Sequence, residues 1–153
     1  MSSNLRTSAL AFMTLFAISA QATEGVVAVS ASAPGTVVAG KAFTITVKFN
    51  IREGYHIYGP TKIETGLPTT VSVTGPKGFK VAHVNFPATH PFKALGETVP
   101  VLSGAPIVKV SVSAPKKSKG KQLFTVNVSS QACNDRTCER PQSVALKVLV
   151  NVK

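Results

Sequence analysis

Ala42-Phe43-Thr44-Ile45-Thr46-Val47-Lys48-Phe49 alternates apolar and polar side chains along its whole length. A period of two puts Phe43, Ile45, Val47 and Phe49 on one face and Thr44, Thr46 and Lys48 on the other. That pattern predicts a half-buried strand. The same alternation recurs at 70–73, 99–102, 107–112, 123–128 and 144–152. Val, Ile and Thr dominate these runs, as packing on a pleated surface favours. Pro34-Gly35, Gly59-Pro60, Gly75-Pro76 and Gly104 separate them as turn signals. No run has a helical period. Many short strands with frequent turns predict an all-β, immunoglobulin-like β-sandwich. With no Trp and no cysteine pair spaced to staple two sheets, an antibody-type domain is excluded.

The 153 residues suit a single domain, and 44% apolar content excludes disorder for the bulk. Residues 1–22 read as a secretory signal. Arg6 supplies the positive start, 9–18 an apolar stretch, and Ala20-Gln21-Ala22 a cleavage site. Cleavage after Ala22 leaves residues 23–153 as the domain. The apolar stretch is about half the ~20 residues a spanning helix needs, and no other segment could cross a membrane as a helix.

The formal net charge is +11, from 17 Lys and Arg against 6 Asp and Glu. Export argues against nucleic acid as a partner, and no nucleic-acid motif or aromatic-interleaved basic stripe is present. A solvated basic surface, steering toward an acidic partner, and attraction to an anionic membrane stay open. The densest patch, Lys116-Lys117-Ser118-Lys119-Gly120-Lys121, lies between two strand patterns and is expected in an exposed hairpin loop.

Cys133-Asn134-Asp135-Arg136-Thr137-Cys138 contains both cysteines of the chain. Exported proteins meet an oxidising space in which such pairs form disulfides. A loop this short contributes only about 2 kcal/mol of chain entropy, against almost 5 for a loop of about a hundred residues. Close spacing suits a bond that opens and closes, since both thiols stay together when reduced. A passive clip on a β-turn fits the spacing as well. The polar residues between the cysteines place the loop at the surface. Arg136 and Arg140 favour a thiolate, whereas Asp135 and Glu139 oppose it. His56, His83 and His90 are scattered, so a metal site is disfavoured and no cofactor is implied.

The segment from Gln131 to Cys138 resembles the redox motif of the N-terminal periplasmic domain of the thiol–disulfide interchange protein DsbD. Gly54-Tyr55-His56-Ile57-Tyr58 and Gly66-Leu67-Pro68-Thr69 resemble two further segments of that family. The resemblance spans residues 28–152. It implies an immunoglobulin-like sandwich that relays electrons through Cys133 and Cys138. The implied partners are periplasmic thioredoxin-fold proteins, such as a disulfide isomerase or a cytochrome c maturation factor. A membrane electron donor of the DsbD type would supply the reductant. Carried over, Cys133 is the attacking thiolate and Cys138 resolves the mixed disulfide. Phe92, in His90-Pro91-Phe92, corresponds to an aromatic lid over the disulfide. His56 and Tyr58 correspond to positions that approach the cysteines. On the residues alone, ordinary packing accounts equally for Tyr58 and Phe92, and a solvated position for His56.

The chain departs from the family pattern in two places. Glu139-Arg140-Pro141 stands where the family has an apolar residue and two prolines, and Ser129-Ser130 where an aromatic is common. Full-length DsbD continues into membrane and thioredoxin domains, so the expectation here is a free-standing relay. The competing reading is a non-enzymatic secreted binding module with a structural loop disulfide.

Overall fold

Alternation in the sequence becomes alternation in burial. In the strand Ala42–Ile51, Phe43, Ile45, Val47, Phe49 and Ile51 are all buried. The computed structural model describes residues 20–22, 25–64, 66–94 and 96–153. Its strands in chain order begin with β1 (Ala20–Ala22), β2 (Val27–Ser32), β3 (Thr36–Val37), β4 (Ala42–Ile51) and β5 (His56–Tyr58). β6 (Thr70–Thr74), β7 (Lys80–Asn85), β8 (His90–Ala94) and β9 (Glu97–Leu102) follow. The last are β10 (Ile107–Ser113), β11 (Gly120–Ser130), β12 (Ala132–Cys133) and β13 (Gln142–Val152). No helix occurs among the described residues, and the chain is an all-β, immunoglobulin-like sandwich.

One sheet has the order β1-β2-β4-β10-β7 and the second β3-β13-β11-β6. Their apolar faces meet. Val108, Val110 and Val112 from the first sheet share a core with Phe124, Val126, Val128, Leu146, Val148 and Val150 from the second. Phe43 and Phe124 bridge the two layers with ring centroids 5.7 Å apart in an edge-to-face arrangement. Phe79 meets both rings, at 6.5 and 5.1 Å.

A third, smaller sheet, β12-β5-β9-β8, closes one end. The chain enters it from both main sheets. β4 leads through a tight turn at Gly54 (φ 81°) into β5, and β11 passes through Gln131 into β12. Positive φ is a conformation that glycine adopts without penalty.

Three expectations change. The lysine-rich segment is exposed, but it joins β10 of one sheet to β11 of the other, so it is a crossover and not a hairpin. The disulfide loop is exposed only from Asp135 onward, since Cys133 lies in a buried strand. His56 is buried in β5 and not solvated. Of the expected secretory signal, residues 1–19 lie outside the described residues, and Ala20–Ala22 form β1 against β2.

Candidate functional site

The small sheet has two faces with different duties. Ala132, Ile57 and Leu102 point into the main core. Their neighbours point the other way, because successive side chains alternate. Cys133 is registered opposite His56, Tyr58 opposite Val101, and Phe92 opposite Val99. Cys133, Tyr58, Val99 and Val101 form a separate buried cluster, with Phe92 and Ile63 packed against it. The face that carries the first cysteine therefore also carries all three aromatic-ring positions singled out from the sequence.

Cys133 and Cys138 are joined in a disulfide, with Cα atoms 4.0 Å apart. Cys133 is 2% exposed, whereas Cys138 is exposed. The loop between them is built by Asn134. Its side-chain oxygen accepts the amides of Arg136 at 2.8 Å and Thr137 at 2.7 Å. Its own amide donates to the Thr137 carbonyl at 2.9 Å. An Asn that bonds to the backbone two residues on is a standard turn former. The loop is held to the sheet by the Glu139 amide on the Ala132 carbonyl (2.8 Å) and by Gln131 Nε2 on the Glu139 carbonyl (3.2 Å).

Tyr58 reaches over the buried sulfur. Its hydroxyl lies 3.6 Å from Cys133 Sγ and holds the only proton of that pair, so it donates. Two features fix Tyr58. Buried Thr69 donates its hydroxyl to the Tyr58 carbonyl at 2.6 Å. Gly66 lies so close to the phenol that a Cβ there would overlap the ring. That is a physical reason for glycine in Gly66-Leu67-Pro68-Thr69.

His56 stacks on Phe92, with ring centroids 4.1 Å apart at 41°, and meets Tyr58 edge-on at 6.0 Å. It is 4% exposed, and its Nε2 has no hydrogen-bond partner among the described residues. Burial lowers its pKa from the ordinary value, and the nearby His90 lowers it further. His90 shares the exposed edge strand with Phe92, and its Nε2 meets Ser103 Oγ at 3.2 Å. Phe92 is half-buried and packs against the cluster. Pro91 is tolerated because β8 is the sheet's edge.

The structure thus gathers Cys133, Cys138, His56, Tyr58 and Phe92 at one end of the molecule. Reading by sequence overlooked His90, Thr69 and Asn134 as parts of the site. Asn134 carried a turn signal. His90 and Thr69 lie in the segments His90-Pro91-Phe92 and Gly66-Leu67-Pro68-Thr69, but their contacts with Ser103 and Tyr58 are made across the fold and leave no local pattern. No group of three or more His, Cys, Asp or Glu able to hold a metal occurs among the described residues.

One solved structure supports this fold. The N-terminal periplasmic domain of ScsB from Proteus mirabilis superposes with a TM-score of 0.62 at 14% identity, covering 83% of this chain and 49% of that one. This chain thus spans about half the length of that structure. The reduced N-terminal domain of Neisseria meningitidis DsbD aligns with a TM-score of 0.48 at 13% identity, over 70% of this chain and 77% of that one. No curated protein matches the sequence. The family model "Thiol:disulfide interchange protein DsbD, N-terminal" matches residues 23–149, which include the disulfide and the aromatic cluster over it. The chain belongs to the family of DsbD N-terminal domains.

Proposed function

We propose that this chain is a periplasmic thiol–disulfide relay. In this reading it exchanges electrons with thioredoxin-fold proteins through Cys133 and Cys138, after export and cleavage following Ala22. The observation that carries the reading is the asymmetry of the disulfide, one cysteine buried beside the Tyr58 hydroxyl and the other exposed. A purely structural clip needs no such asymmetry. Family membership supports the chemistry, and the cluster of His56, Tyr58 and Phe92 supports a protected site.

In this reading the exposed cysteine, Cys138, is the one attacked, the opposite order to the one the resemblance implies. A reduced partner's thiolate reaches the exposed Cys138 sulfur and forms a mixed disulfide there. The Cys133–Cys138 bond breaks, and its electron pair goes to Cys133 Sγ, beside the Tyr58 hydroxyl. The partner's second thiolate then attacks its own bonded sulfur and releases Cys138 as a thiolate. The partner leaves with a disulfide, and this chain holds two electrons as two thiols once protons are taken up. Delivery to an acceptor disulfide is the reverse. Cys138 attacks, and Cys133 resolves.

The test is trapping in the cell envelope. Cys133→Ser leaves Cys138 as an exposed thiol and should accumulate mixed disulfides with thioredoxin-fold proteins. Cys138→Ser leaves only the buried thiol and should trap far less. If neither variant forms an adduct under any redox condition, the relay reading fails. A reduction potential below about −300 mV would mark a structural bond instead.

A further inference from the structure

Among the described residues, the acidic side chains and the densest group of lysines lie toward opposite ends of β11. β11 runs from Gly120 to Ser130 and leads directly toward the disulfide. At ~3.3 Å per residue its far end lies about 33 Å from the redox end. Lysines gather at that far pole. The β10–β11 crossover presents Lys116, Lys117 and Lys119, all exposed, and Lys121 follows in β11. The Lys41 carbonyl takes the Ala114 amide at 3.0 Å, and the Lys153 carbonyl takes the Ala39 amide at 2.9 Å, so both residues sit beside the crossover. Lys80 is registered opposite Ser113, and Lys77 precedes it in the turn where Gly78 faces Pro115.

No acidic side chain among the described residues lies on this pole. Glu53, Glu64, Glu97, Asp135 and Glu139 all belong to the small sheet, its loops or the turn leading into it. The arginines at 52, 136 and 140 are at the redox end too. Apolar side chains stand exposed beside the lysines. Val38 is 58% exposed, and Leu123 and Leu149 are 53% and 47% exposed. The two leucines are directly paired on the outer face of their sheet, between Lys121 and Lys147.

We propose that this pole docks on an anionic lipid surface. The lysines face phosphate headgroups, and Val38, Leu123 and Leu149 enter the interface. Several ammonium groups set on separate loops suit laterally mobile headgroups, whereas fixed carboxylates or bases are better met by the planar fork of arginine. Lysines beside exposed aliphatic side chains are the combination that interfacial binding uses. Docking this way points the disulfide away from the bilayer. The inference does not depend on the redox reading.

The protein as the cell processes it is mixed with phosphatidylcholine vesicles, with or without about 30% phosphatidylglycerol, and sedimented. Binding to the anionic vesicles is expected, with loss as salt rises from about 0.05 to 0.5 M. K116E/K117E/K119E should weaken it roughly 100-fold or more. L123S/L149S should weaken it several-fold while leaving its salt dependence. These positions are exposed, and an unchanged melting temperature will show that both variants fold. Equal binding to pure phosphatidylcholine, or no loss in the triple variant, overturns the proposal. Tighter capture by soluble polyglutamate than by anionic vesicles also overturns it and assigns the pole to an acidic polypeptide.

Discussion

His56 is a buried polar side chain whose Nε2 has no partner among the described residues, and its lowered pKa keeps it neutral when folded. The unfolded chain takes up a proton near the ordinary value of 6.5, while the folded chain resists it. Stability is therefore complete above about pH 6.5 and falls as the pH drops toward the folded pKa, because the unfolded state binds more protons there. Urea midpoints of the wild type should fall across that window, and His56→Phe should flatten the fall. Equal slopes in both proteins would remove His56 as the cause. Tyr58 makes a second prediction. Its hydroxyl can donate to the thiolate left on Cys133, and a hydrogen bond to the charged form holds a pKa down. Tyr58→Phe should raise the pKa of the reduced Cys133 thiol by about one unit. The pH dependence of its alkylation measures this.

At the scale of elements, the small sheet holds the disulfide, and two of its strands have little sequence pattern. β5 is three residues long and wholly buried, so it has no alternation to detect. β8 contains Pro91 and is an edge strand. The long strands β4, β10, β11 and β13 each bury one face only, so period two exposed them at once. Two substitutions test how the small sheet serves the disulfide. Phe92→Ala removes the ring stacked on His56 and should speed reduction by dithiothreitol on the order of tenfold, since access governs the exchange rate. An unchanged rate would leave Phe92 as a packing residue. Gly66→Ala forces a methyl into the Tyr58 ring and should cost about 1–3 kcal/mol in urea unfolding.

Across the whole molecule, stability and function separate. The core between the two main sheets carries the fold, and the disulfide closes a short loop at one end. Phe124→Ala empties a fully buried site between Phe43 and Phe79 and should cost about 3–5 kcal/mol. Reducing the disulfide should cost no more than about 2 kcal/mol. Calorimetry with and without reductant compares the two, and a larger loss on reduction would make the bond a staple. The same whole-molecule view changes the meaning of the charge. In the sequence the lysines look dispersed, apart from 116–121. Folding returns Lys41, Lys77, Lys80 and Lys153 to the same pole and sends the described acidic side chains to the other end. The sequence by itself determined the all-β class, the long strands and the close cysteine pair. These are local properties, set by side-chain period and by spacing along the chain. Only the tertiary structure decided which cysteine is exposed, what packs against the other, and where the charge collects. Each of those depends on residues that are far apart in the chain and meet only through strand pairing.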